Sequence, residues 1–126
     1  TGKLFGIWGL AFKPGTDDMR EAPSIYVINE LVKRGAKIQA YDPKAIEEAQ
    51  SFYLKDVKNI SYVNSKYQAL ENADAMILLT EWKEFRSPDF DEIKSQLNSP
   101  IIFDGRNQYI AYEIEDKGFE YYRIGK

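Results

Sequence analysis

The sequence predicts an α/β domain: a three-layer, open, mostly parallel, doubly wound sheet of about six strands. Three observations predict it. Leu4–Leu10 is a continuous apolar run of the kind found in strands buried on both faces. An amphipathic segment, Ala22–Arg34, leads from it into a short strand, Lys37–Tyr41, so that strand, loop, helix and strand fill about 40 residues, the size of a βαβ unit. Downstream, short apolar runs keep alternating with polar, helix-patterned segments.

The elements follow in order. Leu4–Leu10 reads as the central strand. A polar loop follows it, longer than the usual βα connection of about 2–6 residues. In the helix Ala22–Arg34, the residues Ile25, Ile28, Leu31 and Val32 share one face. Pro23 suits its first turn, Lys33 and Arg34 suit the negative end of its dipole, and Gly35 is a stop. Lys37–Tyr41 ends in Asp42-Pro43. Lys44–Tyr53 is a more weakly patterned helix, Ile60–Val63 an edge strand, and Lys66–Glu71 a short helix. Ala73–Leu79 is the next buried strand. Ser87-Pro88 introduces a helix over Asp89–Leu97. Ile101–Phe103 is the fifth strand, ending in Asp104-Gly105-Arg106-Asn107, and Phe119–Ile124 is the last.

The 126 residues form one domain with room for one core. Hydrophobic residues make up 44% and aromatics 14%, a globular composition. A net charge of −3 argues against general nucleic-acid binding, so any anion site is local. No apolar run approaches the roughly 18 residues of a membrane span. No signal peptide is read before the first strand, and the expected location is cytoplasmic. Cysteine and histidine are both absent. That removes thiol nucleophiles, the commonest general base and the commonest transition-metal ligands. A complete active site is therefore not expected within this chain, which reads as a piece of a longer protein.

In an open parallel sheet, the loops leaving the carboxyl ends of the strands converge on a ligand crevice. Here these are Phe12–Arg20, Thr80–Phe85 and Asp104–Asn107, which place Lys13, Arg20, Glu81, Trp82 and Arg106 on one edge. Each candidate has a plainer reading beside it. Gly6 and Gly9 lack the Gly-x-Gly-x-x-Gly spacing of a dinucleotide fingerprint and read better as close-packing glycines. Phosphate charge would then fall to side chains, with Lys13 foremost. Asp42 stands where a ribose-binding acid often lies but reads better as a turn aspartate before Pro43. Asp17 and Asp18 are candidates to hold Mg²⁺, and read better as partners of Arg20 that shape the loop. Arg106 offers a fork for a phosphate or a sugar hydroxyl pair, against the alternative of a solvated surface arginine. Trp82 and Tyr109 are the aromatics placed to stack on a base, a role these residues do not establish. The late tyrosines Tyr109, Tyr112, Tyr121 and Tyr122 are expected to cover the sheet edge and final helix.

These motifs together carry a resemblance. Gly9-Leu10-Ala11-Phe12-Lys13-Pro14-Gly15-Thr16-Asp17-Asp18-Met19-Arg20-Glu21-Ala22-Pro23-Ser24 resembles the opening of the C-terminal, UDP-binding domain of the UDP-glucose/GDP-mannose dehydrogenase family. Tyr41-Asp42-Pro43, Ala73-Asp74-Ala75 with Leu79-Thr80-Glu81-Trp82, and Phe103-Asp104-Gly105-Arg106-Asn107 recur there in the same order. The likeness spans essentially the whole chain and is closest to the UDP-glucose 6-dehydrogenase branch.

The resemblance implies a Rossmann-like domain over residues 1–126, part of an enzyme that oxidises UDP-glucose to UDP-glucuronate with NAD. The route passes through a thioester on a catalytic cysteine, in nucleotide-sugar metabolism and polysaccharide biosynthesis. It implies that Phe12, Lys13 and Arg106 contact the UDP-sugar. Arg20 would reach an NAD held mainly by the N-terminal domain. No catalytic residue and no metal ligand fall in this chain. The implied partners are UDP-glucose or UDP and the N-terminal and central domains of the same enzyme, which is expected to be a homo-oligomer. Neither nucleic acid nor membrane is expected as a partner. Alternatives are the corresponding domain of a GDP-mannose or UDP-N-acetylhexosamine dehydrogenase, or a stand-alone nucleotide-binding module. A phospho-receiver domain fits poorly, because Phe12-Lys13 and Thr80 stand where it needs acids.

Overall fold

In the computed structural model, the first apolar run forms the middle of the sheet. The structure describes residues 2–11, 15, 18, 19, 22–86, 88–106, 109 and 114–123. The strands are β1 (Leu4–Trp8), β2 (Lys37–Tyr41), β3 (Ile60–Tyr62), β4 (Ala75–Leu78), β5 (Ile101–Asp104) and β6 (Glu120–Arg123). The α-helices are α1 (Pro23–Lys33), α2 (Ile46–Glu48) and α3 (Phe90–Gln96). Strand order is β3-β2-β1-β4-β5-β6, and every pair is parallel. This is a three-layer Rossmann-like α/β fold, as the alternation of elements predicts. The order reverses between β1 and β4, the switch point at which such sheets open a crevice.

Burial explains the strands. β4 is buried along its whole length, so its four residues are all apolar. In β1 the last three residues are buried. Trp8 stacks on Phe85 at 4.8 Å, and its indole N–H donates to the Lys66 carbonyl at 2.7 Å. Gly6 is a packing glycine: a Cβ there would lie 2.6 Å from the Ala69 carbonyl oxygen. Gly9 adopts φ +102° and passes against Thr80, where a Cβ would lie 2.6 Å away. The packing reading of both glycines stands.

The helices differ from expectation in two places. α1 opens at Pro23, as the sequence predicts, and the chain turns at Gly35 with φ +96°. Ile28 is fully buried, while Ile25, Leu31 and Val32 pack against the core from its flanks. The expected helix over Lys44–Tyr53 keeps only α2 as α-helix and continues as a π-helical turn, Ala49–Tyr53. The reason is register. Ala45 and Ala49 point inward at a helical spacing, and the extra residue of the π turn brings Leu54 inward in place of Tyr53. Phe52 and Tyr53 are left exposed. The expected helix over Lys66–Glu71 is a 3₁₀ turn, Gln68–Leu70, lying close against β1 at Gly6. α3 is capped by Asp89, whose carboxylate accepts the N–H groups of Asp91 and Glu92.

Candidate functional site

The strand register lines up the carboxyl ends. Tyr41, Trp8, Leu78, Asp104 and Arg123 are successive partners across β2, β1, β4, β5 and β6. The loops after β1, β4 and β5 therefore leave from adjacent strands. At about 4.8 Å per strand they span about 10 Å, the scale of a nucleotide.

Four polar side chains are buried among the described residues: Ser24, Asp42, Thr80 and Asp104. All four serve this edge. Asp42 lies just beyond β2. Its Oδ2 accepts the N–H groups of Leu10 and Ala11, at 2.7 and 3.0 Å, and the indole N–H of Trp82 at 3.1 Å. Its Oδ1 accepts the N–H groups of Lys44 and Ala45, both at 2.8 Å. Ser24 donates to the Leu10 carbonyl, and Thr80 donates to the Ala11 carbonyl, both at 2.6 Å. Leu10 and Ala11 thus have every backbone polar group held by a buried side chain. The first loop leaves the sheet from a fixed point, immediately before Phe12 and Lys13 in sequence.

Asp104 does the same for the loop after β5. Its Oδ1 accepts the Arg106 N–H at 3.0 Å, and its Oδ2 accepts the Tyr109 N–H and the Tyr121 hydroxyl at 2.8 and 2.7 Å. Gly105 donates to the Leu78 carbonyl at 2.8 Å, an approach too close for a side chain. The turn presents Arg106 at the edge. There its guanidinium meets Glu81 through two bonds, Nε to Oε1 at 2.6 Å and Nη2 to Oε2 at 3.2 Å. Burial pushes the Glu81 carboxyl up. The hydrogen bond from Arg106, its own backbone N–H and the charges of Arg106 and Arg86 outweigh that and hold it below its ordinary value. The side chains are 35% and 31% exposed, so the pair adds at most about 1 kcal/mol of stability. Its larger consequence is the orientation of the arginine.

A second lock secures the loop after β4. The Tyr41 hydroxyl donates to the Glu84 carboxylate, and the Lys66 ammonium donates to the Glu84 carbonyl. Burial, then the Glu84 charge and hydrogen bond, then the Asp42 charge push the Tyr41 hydroxyl up to about 12.

Of the residues predicted from sequence, the structure brings Glu81 and Arg106 into contact. Phe12, Lys13, Asp17 and Arg20 lie outside the described residues, as does Tyr112. Asp42 serves its turn through Oδ1 and the first loop through Oδ2. With five N–H groups on its two oxygens and 3% exposure, it has no place for a ribose. Trp82 and Tyr109 are buried and hydrogen-bonded through their polar tips, to Asp42 and to the Phe85 carbonyl, so neither presents a face to a base. Tyr121 and Tyr122 lie in the edge strand β6 itself, Tyr122 stacking on Phe103 of β5 at 5.2 Å. The roles of Ser24, Thr80 and Asp104 were not legible. Each is a small polar residue beside an apolar run, and the partner of Thr80 is 69 residues away.

The described residues do not fit an NAD site. The glycine fingerprint is absent from the first turn, and the acid after β2 is fully engaged. Among the described residues no cluster of acids is arranged to hold a metal ion. A cleft of about 440 Å³ between the π turn and β3, lined by Ile46, Leu54, Lys55 and Tyr62, involves none of the three loops.

Comparisons with known proteins show the family and the fold. Residues 6–111 match the UDP binding domain of the UDP-glucose/GDP-mannose dehydrogenase family. UDP-glucose 6-dehydrogenase of Pseudomonas aeruginosa is 42% identical over 127 aligned positions, covering 99% of this chain and 28% of that protein. The chain thus spans little more than a quarter of that relative's length. A solved UDP-glucose dehydrogenase from Pyrobaculum islandicum superposes with a TM-score of 0.73 at 31% identity, over 89% of this chain and 24% of that one. An NDP-N-acetyl-D-galactosaminuronic acid dehydrogenase from Methanosarcina mazei superposes with a TM-score of 0.79 at 28% identity, over 99% and 25%. With residues 6–111 of this Rossmann-like chain matched by one family's UDP binding domain, the chain belongs to the UDP-glucose/GDP-mannose dehydrogenase family.

Proposed function

We propose that the carboxyl edge of this sheet binds the UDP part of a nucleotide sugar, and that the chain is the UDP-sugar-binding part of an NAD-dependent dehydrogenase acting on UDP-glucose. The observation that carries the reading is Arg106. An otherwise surface arginine donates two bonds to Glu81 and one backbone bond to buried Asp104, two strands along the same sheet edge from the fixed exit of β1. A guanidinium presented in one orientation suits a diphosphate or a sugar hydroxyl pair. Lys13, next but one to the pinned Ala11, is the second cation, and Phe12 the apolar contact.

The family match and the 42% identity to a UDP-glucose 6-dehydrogenase support UDP-glucose as the sugar nucleotide. A second reading, a UDP-N-acetylhexosamine substrate, is favoured by the superposition on the Methanosarcina mazei protein. A GDP-mannose substrate is the third. Oxidation of the sugar would need an NAD and a nucleophile held elsewhere in the enzyme, because this chain has no cysteine and no histidine. Arg20 is proposed to reach that NAD. Other domains of the same polypeptide and further copies of it are the proposed partners, and the proposed location is cytoplasmic.

Calorimetric titration tests the reading. UDP and UDP-glucose are expected to bind this chain weakly, and Lys13→Ala and Arg106→Ala each to weaken binding about tenfold, the effect of one charged hydrogen bond. Equal affinity of wild type and both variants overturns the site. UDP-glucose binding tighter than UDP-N-acetylglucosamine and GDP-mannose supports the first substrate reading; the reverse order replaces it. Mixing the chain with UDP-glucose and NAD⁺ is expected to give no NADH.

A further inference from the structure

We infer that Glu81 is a positioning residue for ligand binding, acting through Arg106 rather than on the ligand. The inference rests on the UDP-site reading above. A guanidinium carries five N–H donors along three edges. Glu81 takes the Nε–Nη2 edge, and no other side chain bonds the guanidinium among the described residues. Both Nη1 protons and the second Nη2 proton are left on the end away from Glu81. The carboxylate therefore does not fill the anion site. It clamps the arginine from the side and leaves the end-on edge, the one that grips a phosphate or a hydroxyl pair, directed elsewhere.

Each partner is itself anchored. Arg106 is fixed at its backbone by Asp104. Glu81 lies between Thr80, tied to the Ala11 carbonyl, and Trp82, tied to Asp42. The clamp thus connects the loops after β1, β4 and β5, and ordering the long arginine before the ligand arrives removes an entropy cost from binding.

Simple electrostatics predicts the opposite sign. A carboxylate near an anionic ligand repels it, so its removal strengthens binding unless the carboxylate organises something the ligand needs. Glu81→Ala is expected to weaken UDP binding about threefold to tenfold, the cost of freezing one long side chain on binding. Glu81→Gln, which keeps one acceptor, should fall between. In an Arg106→Ala background, Glu81→Ala should weaken binding no further, because it acts through the arginine. A readout without ligand is the Arg106 Nε–H in NMR: it is expected to exchange with solvent more slowly than the Nε–H of Arg123, and to lose that protection in Glu81→Ala. Thermal unfolding of each variant confirms that the fold is intact.

The inference is overturned if Glu81→Ala tightens UDP binding or leaves it unchanged while Arg106→Ala weakens it; the UDP site itself then stands. It is also overturned if Glu81→Ala weakens binding equally in the Arg106→Ala background, or if the Nε–H is unprotected in wild type. If wild type does not bind UDP, the site reading fails and takes this inference with it.

Discussion

At the scale of single residues, Asp42 decides most. Its carboxylate joins the exit of β1, the start of α2 and the loop after β4, accepting five N–H groups on two oxygens. Only an acceptor at both positions can do this. Asparagine offers one carbonyl oxygen and one NH₂, and either orientation sets that NH₂ against buried N–H donors. Asp42→Asn is therefore expected to destabilise the fold by about 3 kcal/mol, the cost of leaving buried donors unmet. Urea unfolding measures it as a lower midpoint. The same variant should weaken UDP binding, because Leu10 and Ala11, just before Phe12 and Lys13 in sequence, lose the bonds that hold their N–H groups. A midpoint within error of wild type would mean that water replaces the carboxylate at that edge.

At the scale of elements, Gly6 shows how closely the layers meet. β1 and the 3₁₀ turn Gln68–Leu70 approach until the Ala69 carbonyl oxygen and a Leu70 methyl occupy the place of a side chain. Backbone cannot swing aside as a flexible side chain can. Gly6→Ala is expected to cost about 2 kcal/mol by overpacking, read as a lower thermal midpoint with the UDP site unchanged in kind. The sequence showed this glycine as a packing position, but not what it packs against. That limit is general here. Strands β1 and β4 were legible because each is a continuous apolar run, the mark of burial on both faces. The site edge was legible because parallel strands put their exits on one side. The π turn after α2 was not, because the inward choice of Leu54 over Tyr53 is made by packing against the sheet. Nor was the Glu81–Arg106 clamp, whose residues lie 25 apart and meet only through the adjacency of β4 and β5.

At the scale of the whole molecule, the titratable groups bound the pH range in which the sheet holds together. On the acid side, Glu81 is held below its ordinary 4.5, so its contribution is present above that value and is lost as pH falls through the lower folded value. The alkaline side is set by tyrosines. Burial pushes the Tyr62 hydroxyl up to about 12, burial and Glu84 push Tyr41 up to about 12, and burial and Asp104 push Tyr121 higher still. In the unfolded chain each ionises near its ordinary 10.0. Above that value the unfolded state releases protons that the fold retains, so stability falls from about pH 10 toward about pH 12. Tyrosinate absorbance reports the ionisation of each hydroxyl. Tyr41, Tyr62 and Tyr121 should give theirs only as near-ultraviolet circular dichroism is lost. Tyr62 separates the causes. Its hydroxyl is buried with no hydrogen-bond partner among the described residues, so it costs desolvation and receives nothing in return. Tyr62→Phe removes the hydroxyl and keeps the ring. It is expected to be as stable as wild type or more so at neutral pH, and to move the alkaline transition upward. Tyr121→Phe removes a donor to buried Asp104 and should lower stability at neutral pH. If neither variant moves the transition, the alkaline limb follows from total charge rather than from these buried hydroxyls.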